Sequence, residues 1–515
     1  MQHRILAGLI PALTVAVLLA TDARAQIVIE ERAPDGGRDW SDNFFGEAGF
    51  TAAAGSSHQR GFVSLEVGYD GRFAGERGRV FVSAIASQSD IELDLELKSR
   101  AQSDPNNTSP QDLTLEEDSG DVDLSDAYIQ YAAGDFVFTA GRARVSWGQF
   151  NLVSPVNLAL PVTPQSNEAS VRKVNLLVPQ DQVSFSWLPH ERVEVQGYHF
   201  FSTNIDSLVE EVTRRRGSDR FISAFNTGTG VETAADRPTD RRDLTRHSHS
   251  AARLMFYPDW GTMGFTWHEG RKALAFSSNL ATVTRNQVDT GTATAHSIFN
   301  VHRHVDFPKA DNFGFELAIP SGLWTWKFEM LYQETEVDLE GYSIAIQDNQ
   351  MGNTLAAHRD YFNAVINDNA GKLYIPVDRY IFGLGAESDR DDWRFDFSLF
   401  AIDDRFDGDA QRLIDLEEAA GFDTDRDTLV FPAVSVARYL GGDKSREAGV
   451  LAGFLGAYFG VSAYYTATIG DDFRWTAGVE AASSLRDQFL SEREDRYELA
   501  DDLSAGFRVS AIYSF

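Results

Sequence analysis

The stretch Phe507-Arg508-Val509-Ser510-Ala511-Ile512-Tyr513-Ser514-Phe515 decides how the rest of the chain is read. Phe507, Val509, Ala511, Tyr513 and Phe515 share one face of an extended strand, while Arg508, Ser510 and Ser514 share the other. A strand that is apolar on one side and ends in aromatics suits a wall between lipid and water. Its outer side meets hydrocarbon, and its rings settle at the interface.

The same alternation recurs upstream. Val63, Leu65, Val67 and Tyr69 oppose Ser64, Glu66, Gly68 and Asp70. Trp324, Trp326, Phe328, Met330 and Tyr332 oppose Thr325, Lys327 and Glu329. Trp393, Phe395, Phe397 and Leu399 oppose Arg394, Asp396 and Ser398, and Phe473, Trp475, Ala477 and Val479 oppose Arg474, Thr476 and Glu480. The period of two predicts an all-β chain of about eighteen antiparallel strands, with sixteen as the alternative, closed into a transmembrane β-barrel over 43–515. One of these strands is expected at 135–147. The uncharged run 449–470 could span as a helix, but its five glycines and its tyrosines suit two strands and a tight turn.

Connections alternate in length. Ala132–Gly134, Pro189–Glu191, Pro258–Gly261, Pro320–Gly322, 388–392 and Gly470–Asp472 are short. The connections between them, 99–120, 148–180, 203–247, 271–310, 337–377, 404–428 and 483–502, are long and mostly polar, and only those near 456–460 and 54–61 are brief. Short turns at one end and long loops at the other are the habit of a bilayer barrel, turns on the periplasmic side and loops outside.

At the N-terminus, His3 and Arg4 precede an uncharged run from Ile5 to Thr21 and an Ala23-Arg24-Ala25 cleavage site. This predicts a signal peptide at 1–25, followed by a periplasmic leader at 26–42. The run is short for a membrane anchor and is interrupted by Pro11. The chain has no cysteine, so no disulfide framework is available to an exported protein of 515 residues. A formal charge of -31 argues against nucleic-acid partners and leaves the acidic loops open to weak divalent-cation binding. Aromatics are abundant, with 36 Phe, 16 Tyr and 9 Trp, yet mean hydropathy is -0.28, as alternation in a barrel wall would give.

The C-terminal pattern resembles the signal of Gram-negative outer-membrane barrels, in which a terminal Phe is read by the barrel-assembly machinery. Phe507, Val509, Tyr513 and Phe515 would carry it here. Leu124-Ser125-Asp126-Ala127-Tyr128 followed by Gly141-Arg142-Ala143-Arg144-Val145-Ser146-Trp147-Gly148 resembles a hairpin of porin-like and alginate-export-like channels, a match limited to about 124–161. The resemblance implies a bacterial outer-membrane location in contact with lipid and lipopolysaccharide.

By alternation Arg142 and Arg144 share a face and Trp147 takes the other. The arginines either line the lumen or pair with neighbouring carboxylates and brace the wall. The other expected pore-lining residues are Lys327, Glu329, Arg394, Asp396, Arg474, Glu480 and Arg508. The loop 150–179 is apolar for an outer loop, with Leu152, Val153, Val156, Leu158, Leu160, Val162, Leu176, Leu177 and Val178, and Pro155, Pro161 and Pro164 keep it irregular. Such a segment either inserts into the barrel as a constriction or packs over the mouth or against another subunit.

His247/His249 and His302/His304 each place two imidazoles on one strand face but lack an evident third ligand. Asp423, Asp425 and Asp427 begin like a calcium loop that lacks its Gly and Glu, and 403–427 reads as a solvated loop. No nucleophile elbow, phosphate loop or metalloprotease motif occurs, so neither catalytic nor cofactor-binding residues are assigned. The expected function is a channel for small solutes, with selectivity set by a charged lumen and an inserted loop. A channel for hydrophobic compounds, a barrel-based surface enzyme and an adhesin are the alternatives.

Overall fold

Eighteen strands pair in sequence order into a ring, and the last pairs with the first. The computed structural model describes residues 43–55, 58–75, 77–100, 108–150, 154–160, 177–203, 222–224, 231–233, 247–271, 276–284, 298–306, 309–338, 360, 364, 374–390, 392–419, 429–441, 445–455, 458–470, 473–484 and 504–514. The first seven strands are β1 (Phe44–Gly55), β2 (His58–Phe73), β3 (Gly78–Arg100), β4 (Thr108–Ala133), β5 (Phe136–Ala143), β6 (Gln180–His190) and β7 (Val193–Phe200). They are followed by β8 (Ile222–Ala224), β9 (Val231–Thr233), β10 (His249–Phe256), β11 (Thr262–Arg271), β12 (Phe276–Thr284) and β13 (Ile298–Asp306). Next come β14 (Lys309–Ser321), β15 (Trp324–Asp338), β16 (Tyr374–Arg390), β17 (Trp393–Arg405) and a helix, α1 (Gly408–Ala419). The chain finishes with β18 (Leu429–Tyr439), β19 (Arg446–Leu455), β20 (Tyr458–Ile469), β21 (Phe473–Ser484) and β22 (Ser504–Ser514).

Strands β8, β9, β12 and β13 form a separate four-stranded sheet, and the other eighteen form the wall. Strand β7 pairs with β10 and β11 with β14, so the small sheet's strands are bypassed. Closure comes from β22, which pairs with β21 on one side and with β1 on the other, from Glu47↔Ser514 to Gly55↔Gly506. A closed ring leaves no wall edge to template aggregation and satisfies the backbone polar groups that lipid cannot.

Which way each strand faces follows from its burial alternation. On β15 the odd residues from Lys327 to Val337 are buried, while Trp324 and Trp326 are exposed. On β14 Asn312, Gly314 and Glu316 are buried and Phe313 is exposed; on β2 Ser64 and Glu66 are buried and Val63, Leu65 and Val67 are exposed. Exposed apolar residues therefore cover the outer surface and polar ones line the inside, the inverse of a water-soluble fold.

Several connections are more structured than their composition suggests. Strand β3 runs on to Arg100 and β4 starts at Thr108, so most of the expected loop 99–120 is a strand hairpin that continues the wall pairing. The expected loops 203–247 and 271–310 supply the four strands of the small sheet. The acidic stretch 403–427 is not simply a solvated loop: α1 buries Ala410, Leu413, Ile414 and Glu417 at helical spacing. The turn expected at Pro320–Gly322 closes one residue later, with Ser321 paired to Trp324 and Gly322 at φ +63°. The signal peptide 1–25, the leader 26–42, residues 151–153 and 161–176 of the expected inserted loop 150–179, the Asp423–Asp427 motif and Phe515 lie outside the described residues.

Candidate functional site

Strand β5 stops at Ala143, and from there the chain turns into the lumen. Gly141 adopts φ +128° two residues before the strand ends, where a Cβ would lie 2.2 Å from the Ala127 carbonyl oxygen. The expected strand 135–147 is shorter, ending at Ala143, and Trp147 lies beyond it. Trp147 is fully buried, in a cluster with Val145, Val156, Leu160, Phe200 of β7, Ala251 of β10, Leu331 of β15 and Ile381 of β16. These wall residues lie on the inner face of their strands, so the segment is folded inside the ring.

The inserted segment is held by polar and shape contacts together. Pro155 opens a single 3-10 turn, Val156–Ala159, whose first two residues follow directly from the proline-fixed backbone. Trp147 N donates to Asn157 Oδ1 at 2.5 Å, which ties the two limbs of the insertion together. The wall opposite is thinned to receive it. A Cβ on Gly385 would lie 2.5 Å from Phe150 Cε1, one on Gly383 2.9 Å from Pro155 Cγ, and one on Gly314 3.0 Å from Val156 Cγ1.

Glu329 of β15 anchors the insertion. Its Oε1 accepts from the backbone N–H groups of Gln149 and Phe150, the latter at 3.1 Å. Its Oε2 accepts from Ser154 Oγ at 2.5 Å and from the Val156 N–H at 3.3 Å. Among the described residues, this fully buried carboxylate is thus held by loop donors rather than by a cation. Charge-assisted bonds of this kind offset the desolvation of the acid and satisfy backbone donors that a non-regular buried segment would otherwise leave open. Gly148 makes the approach possible: it sits at φ +82°, and a Cβ there would lie 2.0 Å from Ser154 Oγ and 2.8 Å from Glu329 Oε1.

Glu316 of β14 is the register neighbour of Glu329. Two adjacent carboxylates would repel, but Arg253 of β10 donates to Glu316 Oε1 through Nε at 2.8 Å and Nη2 at 2.5 Å. Gln149 Nε2 donates to the other oxygen at 3.1 Å, so the loop touches both acids. Above them a polar row crosses the inner wall. His249 and His268 share a hydrogen bond at 2.8 Å, Asn312 Nδ2 lies 2.9 Å from His268 Nδ1, and Gln333 Nε2 donates to Asn312 Oδ1 at 2.7 Å. His249 thus partners His268 of β11, and not His247, which precedes the strand and whose carbonyl accepts from Thr203. His302 and His304 lie on β13, where side chains are outside the described part.

The remaining expected lumen residues are placed as follows. Lys327 lies on the inner face below Glu329 and donates to Glu387 at 2.7 Å. Arg394 and Asp396 are inward on β17; Arg394 donates to Glu447 at 2.9 Å, and Ser398 donates to Asp396 at 3.2 Å. Arg474 falls on the parity opposite the outward-facing Val479. Glu480 and Arg508 are strand residues whose side chains lie outside the described part. Phe507 and Tyr513 are exposed on β22, with Val509 between them half-buried.

The two arginines of the hairpin part company. Arg144 lies beyond the strand and donates inward to Asp126 and to Ser125 Oγ, the latter at 2.7 Å. Arg142 is still in β5, in register with Asp181, to which it donates at 2.8 and 3.0 Å. Asp181 shares the parity of the exposed Val183 and Phe185 of β6, so the Arg142–Asp181 pair sits on the outer side of the wall. The expectation that Arg142 lines the pore with Arg144 is corrected: both pair with carboxylates, as the bracing alternative has it, and Arg142 shares the outward parity of Phe136 and Phe138, whereas Arg144 turns inward beyond the strand end at Ala143. The segment that does organise the lumen, through Glu329, Ser154 and Gly148, was not legible as a site, because its partners are 173 to 180 residues apart.

No family model and no curated protein matches the sequence. Among solved structures, the chain is similar to OccD3 (OpdP) of Pseudomonas aeruginosa, with a TM-score of 0.45 and 8% identity over 92% of this chain and 91% of that one. It is similar to OccAB2 of Acinetobacter baumannii, at TM-score 0.43 and 8% identity over 93% and 99%. It is also similar to Pseudomonas aeruginosa OpdK, solved with vanillate, at TM-score 0.42 and 9% identity over 92% and 99%.

Proposed function

We propose that the chain is an outer-membrane channel through which small polar solutes diffuse, narrowed by residues 144–150 and 154–160. The observation that carries this reading is the anchoring of that segment inside a closed ring by Glu329. A ring of eighteen strands encloses more space than its own side chains fill, and an inserted loop then sets the passage. The apolar side chains of the insertion pack against the wall, as Val156 does on Gly314, so they support a polar passage better than a route for hydrophobic compounds.

In this reading the outward aromatic and aliphatic residues contact outer-membrane lipid and lipopolysaccharide, and residues 1–25 direct export. Phe507, Val509, Tyr513 and Phe515 present the chain to the barrel-assembly machinery, and normal amounts of folded barrel after deletion of Phe515 would contradict that part. The channel reading is tested by single-channel recording of the purified protein in planar bilayers. Discrete ohmic steps are expected, and an electrically silent but folded barrel would refute it.

A further inference from the structure

Three of the four donors that hold Glu329 cannot change direction. These are backbone N–H groups, of Gln149, Phe150 and Val156, and only the fourth, the Ser154 hydroxyl, can rotate to accept instead. The ionised carboxyl suits this arrangement, since it offers lone pairs on both oxygens. A proton on either oxygen removes an acceptor site and points a donor at a donor. The bonds that survive lose their charge assistance, which is about half of their strength.

We propose that Glu329 makes the constriction acid-sensitive: protonation of its carboxyl releases Gln149, Phe150, Ser154 and Val156 from the wall and widens the passage. The inference rests on the channel reading above. Its surroundings are consistent with a single titrating latch. On its own strand the next inward charge is Lys327, which is engaged with Glu387 of β16. From β14 it faces Glu316, whose charge is already met by Arg253 of β10, so a proton on Glu329 also relieves repulsion between two adjacent carboxylates. The loop brings Gln149 and Ser154, neither of which titrates, and β16 and β17 bring Gly383, Gly385 and Phe400. Among the described residues, the other titratable or charged groups near the insertion are Tyr198 and His268, which meet the Trp147 ring at 5.7 and 6.0 Å, His249 behind His268, and the paired Arg144 and Asp126.

The test is single-channel conductance as pH is stepped from about 7.5 to about 4, across the ordinary carboxyl range. The wild-type channel should show a reversible, several-fold rise in conductance on acidification. Glu329→Gln, which cannot ionise and points an amide N–H₂ at the same donors, should conduct at the raised level at both pH values. His268→Gln should keep the wild-type response. A wild-type conductance indifferent to pH, or an acid-induced rise that persists in Glu329→Gln, overturns the proposal. A second readout does not need conduction: Leu158→Cys, the sole thiol in the chain, should react with a water-soluble thiosulfonate several-fold faster in the Glu329→Gln background at one fixed pH. Equal rates overturn the latch even if no current is seen, whereas faster labelling without current refutes only the channel reading.

Discussion

Ser154 Oγ donates to Glu329 Oε2 at 2.5 Å, joining an irregular segment to a wall strand 175 residues further along the chain. Neither residue would be stable where it lies without the other: the acid is buried, and the segment has backbone donors with no sheet to join. Removing the acceptor should therefore loosen the segment without opening the ring. Glu329→Ala is expected to lower stability by about 1.5–3 kcal/mol, the range for a lost hydrogen bond to a charged group, read as a lower temperature for the heat-induced mobility shift on gels. Added formate, which can occupy the vacated acceptor position, should restore part of the loss. No shift in the variant would mean that the four contacts contribute nothing net.

Gly148→Ala should act through the same latch. A side chain at φ +82° is strained by about 1–2 kcal/mol, and the new Cβ would meet both Ser154 and Glu329. The variant should assemble as a barrel but show the loosened segment of Glu329→Ala, and the two changes together should be much less than additive. Full additivity would place their effects on separate features.

Arg142 and Arg144 supply a contrast. Because the Arg142–Asp181 pair lies on the outer side and is partly exposed, Arg142→Ala should leave ion selectivity unchanged and alter stability by no more than about 1 kcal/mol. Arg144→Ala, which frees the inward Asp126, should move the reversal potential toward cation preference. A selectivity change in the first variant would place Arg142 in the pore after all.

Trp326 is half exposed on the outer face, whereas Trp147 is fully enclosed. In single-tryptophan variants, brominated lipid should quench Trp326 strongly and Trp147 hardly at all. Equal quenching would reverse the assignment of faces on β15. Arginine at position 326 should cost about 2–4 kcal/mol if it lies near the bilayer midplane.

The wall was legible because its code is local. Trp324 to Val337 alternate at period two, and every such strand declares its own two faces without reference to the rest of the chain. The turns were legible for the same reason, although Ser321 shows that a one-residue error is easily made. Helix α1 was hidden by its charges: Ala410, Leu413, Ile414 and Glu417 follow helical spacing, but acids dominate the stretch around them. The hairpin around Arg142 misled because its charge suggested the lumen although it shares parity with the outward Phe136 and Phe138, and because alternation does not extend to Arg144, beyond the strand end at Ala143. The apolar content of the insertion was visible, and so was Glu329 as an inward residue. What joined them was not, since a hydrogen bond between residues 329 and 154 leaves no periodic trace in sequence.

Replacing residues 154–160 with a short glycine–serine link and recording single channels tests the central claim most directly. The segment occupies the lumen on this account, so the shortened channel should fold, conduct several-fold more than wild type and admit larger solutes. A correctly assembled variant with unchanged conductance would show that the segment does not narrow the path, and would contradict the assignment of 144–150 and 154–160 as the constriction.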